Sequence, residues 1–353
     1  MGAKACYNDG QQLIMTIQES FAHIIGGNNL TSAEAESVMG EIVDGLATAA
    51  QIGFLLGILR IKGETAEEIA GFVQAMRDRV VPVHAKSPDL VDTCGTGGDK
   101  LQTFNLSTAS AFVAAAAGVP IAKHGNRAMS SKCGSADVLE ALGVNLERTP
   151  EQIADSIDKI GIGFMFAPKH HPALKYAAAP RREIGVRTFF NLVGPMTNPA
   201  QAKRQFMGVY DYRFVRLAAD VLNRLGCEKA VVAFGIDGID EMSPIGQTLM
   251  VCLDNGHVTE QSIEPEEFGI KRVQISEIAA GQTPDENAVM LRNSLREESS
   301  PCQRAIVLNA AAAIWVGGKT PNLQDAVQIS LETLKSGAAK RKLQEFIEFS
   351  HAD

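Results

Sequence analysis

The sequence predicts an α/β protein, a small all-helical domain plus a larger α/β domain with a mostly parallel central sheet and flanking helices, and three observations carry that prediction. Apolar residues recur at helical spacing over the first ~80 residues. Beyond Pro82, short β-like runs alternate with helical stretches, the pattern of βαβ units. One late segment, Leu249 to Gln261, turns at Asp254-Asn255-Gly256 and reads as a hairpin at a sheet edge.

Leu13, Ile14, Ile17, Phe21, Ile24 and Ile25 form the first apolar stripe, and Gly26-Gly27 stops it. Thr31 with Glu34, and Thr65 with Glu68, are capping boxes, each opening a further helix. The apolar faces of these helices are candidates for a subunit interface. Leu90-Val91-Asp92 then reads as a strand, Cys94 to Lys100 as a glycine-rich turn, Ser107 to Ala117 as an alanine-rich helix and Pro120 to Ala122 as the next strand. Thr149, Pro150 and Gln152 start a helix that ends near Gly161. A helix running to about Leu225 precedes a strand from Lys229 to Phe234. From Gln303 onward the chain is mainly helical.

With 45% hydrophobic and 21% charged residues, the chain has the composition of an ordinary globular protein with a sizeable core. Its 41 acidic residues outnumber 33 basic ones, so there is no overall positive field to draw nucleic acid or an anionic membrane. The six cysteines are scattered without a CxxC pair, which suits free thiols in a reducing cytoplasm. The start MGAKACYNDG lacks the layout of a signal peptide, and the longest apolar run, Ala111 to Ala122, is too short to span a bilayer.

Four clusters carry chemistry. Asp92-Thr93-Cys94-Gly95-Thr96-Gly97-Gly98-Asp99 follows a strand and precedes a helix whose first residues include Asn105, Ser107 and Thr108. Backbone N–H groups in such a turn approach an anion closely, and the helix dipole favours negative charge there. A diphosphate is the natural guest; a tight turn with an Asn or Ser cap is the plainer reading. Neither a Walker loop nor GxGxxG is present, which argues against ATP and NAD. The second cluster, Lys123-His124-Gly125-Asn126-Arg127 with Ser130, Ser131 and Ser135 beyond it, leaves the carboxyl end of a strand, the edge where ligands of doubly wound sheets bind. By itself such a cluster is more often a solvated surface loop. The third, Asp237-Gly238-Ile239-Asp240-Glu241, offers carboxylates to one cation or is an acidic turn. The fourth, Lys169 to Arg187, gathers cations whose arginine forks suit a carboxylate; its His170-His171 pair reads as loop. The run Asn191 to Pro199 reads as a rigid turn.

Taken in order, GTGGD at 95–99, NLST at 105–108, KHGNR at 123–127, GSAD at 134–137, RRE at 181–183, NLVGPMTNPA at 191–200 and DGIDE at 237–241 resemble the anthranilate phosphoribosyltransferase family of tryptophan biosynthesis. The resemblance implies a cytoplasmic homodimer joined through the helical domain, which spans residues 1–86 with a returning segment near 165–188, the α/β domain taking 87–164 and 189–353. It implies transfer of a phosphoribosyl group from phosphoribosyl diphosphate to the amine of anthranilate, with Mg²⁺ and without nucleic acid or membrane. Carried over residue by residue, Gly95, Gly98, Asp99, Thr103, Asn105, Ser107, Thr108, Lys123, Gly125, Arg127, Ser130, Ser131 and Ser135 resemble the phosphoribosyl diphosphate site. Ser107, Asp240 and Glu241 resemble the Mg²⁺ ligands. Asn126 and Arg181 resemble anthranilate contacts with His124 nearby, and Lys123, His124 and Arg181 carry the catalytic assignment. Lys100, where the family pattern has Gly, and Cys133, where it has Ser, depart from it. A related pyrimidine nucleoside phosphorylase and a catalytically silent nucleic-acid-binding relative are the alternatives.

Overall fold

A computed structural model describes residues 14–98, 101–128, 132–296 and 298–352. The chain divides into two compact units, one of Met1–Val81 with His171–Thr197, the other of Pro82–His170 with Asn198–Asp353. Among the described residues no helix is long and apolar enough to cross a membrane.

The first unit is helical, with helices at Ile17–Ile25, Ser32–Val43, Ala49–Lys62, Ala66–Arg77 and, after the chain returns, Lys175–Ile184. The first four open with the same device, a Thr whose hydroxyl accepts from the third helical N–H while a Glu or Gln reaches back: Thr16 with Glu19, Thr31 with Glu34, Thr48 with Gln51, Thr65 with Glu68. Glu68 also accepts from the Leu30 N–H at 3.0 Å and pairs with Lys62 at 2.9 Å, so one buried carboxylate caps a helix and ties two others to it. The helices at Ser32–Val43 and Ala66–Arg77 touch so closely that a Cβ on Gly71 would fall 2.2 Å from the Ser32 carbonyl oxygen. Phe72 stacks on Phe189, brought back by the returning segment, at 4.4 Å.

The second unit is built on a seven-stranded sheet: β1 Val91–Asp92, β2 Ile121–Gly125, β3 Ile162–Phe166, β4 Arg204–Gly208, β5 Lys229–Gly235, β6 Thr248–Asp254 and β7 His257–Ile263. Their order is β3-β2-β1-β4-β5-β6-β7. The first five run parallel; β6 and β7 are antiparallel additions at one edge. The β6–β7 turn places Asn255 at φ 46° and Gly256 at φ 88°, the two positive values that a two-residue hairpin turn of matching twist demands. Alanine-rich helices at Leu106–Ala116 and Pro301–Val316 pack together, Ser110 donating to the Ile306 carbonyl.

Strand order decides where a ligand goes. From β1 the chain moves outward through β2 to β3, then returns to β4 on the other side of β1 and moves the opposite way to β5. The reversal opens a crevice beyond the carboxyl ends of β1 and β4.

Two local expectations change. The run Asn191 to Pro199 is not a plain turn: it forms a helical turn at Phe190–Val193 and a 3₁₀ turn at Gly194–Met196, with Pro195 in the first turn, where its missing N–H costs nothing. His170 closes a short helix at Ala167–His170 and is therefore not a loop residue, while His171 lies in the connection that follows; both side chains are buried.

A buried carboxylate ties the sheet's carboxyl edge together. Asp92, fully buried at the end of β1, accepts from the His124 N–H of β2 at 3.1 Å and from the Asn198 amide at 2.7 Å, and Asn198 also donates to the Ala122 carbonyl at 2.8 Å. Burial pushes the Asp92 carboxyl up to about 6, only partly countered by Asn198, Lys123 and the backbone donors. Because the folded value lies above the ordinary 3.8, the stability Asp92 contributes is complete below that value and is lost as pH rises through about 6. The difference in unfolding free energy between wild type and Asp92→Asn, from urea titrations, is therefore expected to fall by about 1.4 kcal/mol per pH unit across that window. A pH-independent difference would show that Asp92 stays ionised throughout.

Candidate active site

The glycine turn leaves β1 at Thr93. Gly97 and Gly98 take φ values of 67° and 84°, which only glycine adopts without strain, so backbone N–H groups line the turn. Its first glycine lies against the end of β4: a Cβ on Gly95 would fall 2.8 Å from the Gly208 carbonyl oxygen, and the Thr96 N–H donates to that same oxygen at 2.9 Å. The Thr96 hydroxyl accepts from the Tyr210 N–H at 3.0 Å, and Gln205 donates to the Cys94 carbonyl. Asp99 and Lys100 lie outside the described residues.

The chain re-enters at Thr103, which bridges to Ala279, and Phe104 donates to the Ile278 carbonyl. Asn105 occupies the N-cap position of the Leu106–Ala116 helix, yet its side chain caps nothing there; its amide reaches the Cys133 carbonyl at 3.1 Å. The Asn105 Oδ1 and the Thr108 hydroxyl are buried and have no hydrogen-bond partner among the described residues. Buried polar atoms are ordinarily satisfied, so these two, at the positive end of a helix, have hydrogen-bonding capacity to spare for a polar ligand.

Lys123 and His124 end β2, both buried. The Lys123 ammonium donates to the Thr93 carbonyl and hydroxyl, each at 3.2 Å, and lies 3.5 Å from the Ser107 hydroxyl, so it joins the glycine turn to the helix that follows it. Beyond β2 the loop closes on itself. Gly125 leaves no room for a Cβ, which would sit 2.2 Å from the Ser135 hydroxyl, and that hydroxyl donates to the Asn126 carbonyl at 3.3 Å. Asp137 accepts from the Ala128 and Gly134 N–H groups, both at 2.9 Å. Arg127 forks onto Glu140 and Asp137, bracing the loop against the Ser135–Ala141 helix, and lies over the Phe166 ring. Ser130 and Ser131 lie outside the described residues.

The acidic pair follows β5. Asp237 accepts from the Ile239 N–H and the Ser243 hydroxyl, and the Ser243 N–H donates to Thr248, so Asp237 braces its own loop. Asp240 and Glu241 are buried, and the Asp240 backbone crosses the end of β4 so tightly that a Cβ on Gly208 would overlap its carbonyl oxygen at 1.6 Å. Asn309, from the Pro301–Val316 helix, clamps the next residue on both sides: it accepts from the Met242 N–H at 2.9 Å and donates to the Met242 carbonyl at 3.1 Å. Burial first, then the Asp92 and Glu241 charges, push the Cys94 thiol up, an electrostatic sign that the acidic pair stands beside the glycine turn.

The glycine turn and the acidic pair therefore meet across Gly208, and Lys123 joins the same turn at Thr93. Asp240, Glu241 and Ser107 carry oxygen donors only, the chemistry that a hard divalent cation takes together with phosphate oxygens. Sequence reasoning missed Gly208, Asn198 and Asn309. Arg181 belongs to the helical unit, where it lies 4.7 Å over the Phe190 ring; burial pushes its pKa down, and no carboxylate among the described residues pairs with it.

Comparison with known proteins agrees with this geometry. The model of the glycosyl transferase family a/b domain matches residues 87–340, and that of the same family's helical bundle domain matches residues 18–80. The anthranilate phosphoribosyltransferase of Desulforamulus reducens is 46% identical over 95% of this chain and 96% of its own length; that of Moorella thermoacetica is 45% identical over 94% and 97%. The crystal structure of the Thermus thermophilus enzyme superposes with a TM-score of 0.89 at 40% identity, covering 94% of this chain and 99% of its own. The Saccharomyces cerevisiae enzyme, in complex with PRPP and Mg, superposes with a TM-score of 0.85 at 25% identity, covering 95% and 97%. The chain belongs to the anthranilate phosphoribosyltransferases of the glycosyl transferase family.

Proposed function

We propose that this chain transfers the phosphoribosyl group of phosphoribosyl diphosphate to the amine of anthranilate, releasing diphosphate, in tryptophan biosynthesis. The observation that carries the reading is the glycine turn at the sheet's switch point, packed across Gly208 from the Asp240-Glu241 pair and held by Lys123 at Thr93. Gly95 to Asp99 offer backbone donors to the diphosphate, and Asn105, Ser107, Thr108, Ser130, Ser131 and Ser135 add side-chain donors to the phosphoribosyl end. Lys123 holds a positive charge against the departing oxygens. Ser107, Asp240 and Glu241 hold Mg²⁺, which when bound neutralises the leaving diphosphate. Asn126 and His124 orient anthranilate. The amine is a neutral nucleophile, so attack on the anomeric carbon needs no prior deprotonation, and the work is positional and electrostatic.

Loss of anthranilate fluorescence on adding phosphoribosyl diphosphate and Mg²⁺ tests the reading directly. Phosphate-dependent cleavage of thymidine or uridine in its place would identify a nucleoside phosphorylase. Asp240→Asn with Glu241→Gln is expected to abolish turnover, since one preorganised charge contact is worth about 10²–10³ in rate. Near-normal activity in that double variant would remove the pair from the mechanism. Asn309→Ala is expected to raise the Mg²⁺ concentration for half-maximal rate by about tenfold, as loss of a ligand-orienting contact does. An unchanged Mg²⁺ requirement would make the clamp on Met242 merely structural.

We further propose a homodimer through the helical unit. Ile61 is 87% exposed, and Ile25, Leu46 and Phe54 also present apolar surface there. Light scattering is expected to give twice the chain mass for the wild type and the chain mass for Ile61→Glu; a monomeric wild type excludes the dimer.

A further inference from the structure

The carboxyl ends of β1 and β2 carry a second donor set, different in chemistry from the acidic pair. A carboxylate oxygen of Asp92, the Cys94 sulfur and an imidazole nitrogen of His124 all lie within 4.8 Å of one another. Asp92 and His124 are buried and Cys94 is half-buried. Mg²⁺ and Ca²⁺ take oxygen shells, whereas a thiolate, an imidazole and a carboxylate together suit Zn²⁺ and its soft analogue Cd²⁺. Ligand atoms around tetrahedral zinc stand roughly 3.5 Å apart, so side-chain rotations of about 1 Å close the set. Three protein ligands leave a fourth position open.

We propose that Asp92, Cys94 and His124 form a binding site for a borderline-soft divalent cation, Zn²⁺ or Cd²⁺, and that filling it blocks phosphoribosyl transfer. On binding, the Cys94 S–H bond breaks, a metal–sulfur bond forms and the proton passes to solvent; no oxidation state changes. The consequence for the reaction follows from chain position. Cys94 immediately precedes Gly95 in the glycine turn, and His124 immediately follows Lys123. A cation bound to both ties the two arms of the phosphate site to each other. It also sets two positive charges beside the Lys123 ammonium, which holds Thr93 and reaches Ser107. That repulsion drives Lys123 from its place and limits the affinity, which makes the site reversible and inhibitory, unlike a closed structural zinc site.

The binding half of the inference is independent of the reaction, while the inhibition half rests on the proposed transfer activity, which the zinc-free wild-type assay tests separately. Titration of the wild type with Cd²⁺ is expected to raise an ultraviolet cadmium–thiolate charge-transfer band saturating at one ion per chain, and Cys94→Ser to abolish it. A band that survives in Cys94→Ser assigns the thiolate to another cysteine and overturns the site. In the fluorescence assay at saturating Mg²⁺, Zn²⁺ is expected to inhibit the wild type, while Cys94→Ser, measured against its own zinc-free rate, needs at least about tenfold more Zn²⁺ for half inhibition. Equal sensitivity of the two proteins overturns the proposal, as does inhibition that excess Mg²⁺ relieves, because that places Zn²⁺ at the acidic pair. Should Cys94→Ser fail to fold by circular dichroism, His124→Gln with the thiol intact carries the binding test and is expected to weaken Cd²⁺ at least about tenfold. Unweakened Cd²⁺ binding in that variant overturns the site as well.

Discussion

The candidate site turns on the absence of a side chain at the end of β4. Gly208 has the Asp240 carbonyl on one side, where a Cβ would overlap at 1.6 Å, and Gly95 on the other, where an added Cβ would fall 2.8 Å from the Gly208 carbonyl oxygen. Two loops that must cooperate, one suited to phosphate and one to metal, are thus held by backbone stacked on backbone. Side chains hop between rotamers, but stacked main chain cannot yield without shifting a strand, so the spacing between the two subsites is fixed before any ligand arrives. Such rigidity is what electrostatic preorganisation requires.

That spacing matters because the charges it holds are unbalanced. Asp92, Asp240 and Glu241 are buried within the same unit, with Lys123 as the buried cation among them, and burial holds Asp92 part-way toward neutrality near pH 6. Adding a diphosphate to this cluster deepens the negative excess; adding a divalent cation alone leaves it coordinated by carboxylates that also belong near phosphate. The two ligands are mutually enabling on electrostatic grounds, since each supplies the charge that makes the other's desolvation tolerable. The same excess favours a cation of different softness at the site proposed for Asp92, Cys94 and His124.

Much of this was legible in the sequence where the signal is local. Thr31 with Glu34 and Thr65 with Glu68 announced their helices because a capping box spans four residues, and the Asn255-Gly256 hairpin declared itself through the only residues that tolerate its dihedral angles. Thr48 with Gln51 passed unread, although the like box of Thr149 with Gln152, marked by Pro150 at the first helical position, was read. The acidic pair and the glycine turn stood out because their chemistry is concentrated in a few consecutive positions. Gly208, Asn198 and Asn309 did not, because each acts on backbone distant in the chain: Asn198 lies 106 residues from Asp92, and Asn309 lies 67 from Met242. The run ending at Pro199 was misread for a related reason, since its glycine and prolines suggest a turn while the tertiary context winds them into helical turns.

Three of the residues that hold the site's loops are asparagines, and they share one chemistry. Asn105 reaches the Cys133 carbonyl, Asn198 the Ala122 carbonyl and Asp92, and Asn309 both polar groups of Met242. A loop that crosses a strand end exposes an N–H and a C=O that the sheet no longer satisfies, and a short amide carries one donor and one acceptor face to meet both. A carboxylate there would accept but not donate, and would add to a negative excess that already strains the site. A hydroxyl would be too short to clamp both backbone groups of one residue at once. Clamping by neutral amides adds no charge of its own to the field that the buried Lys123, Asp240 and Glu241 set.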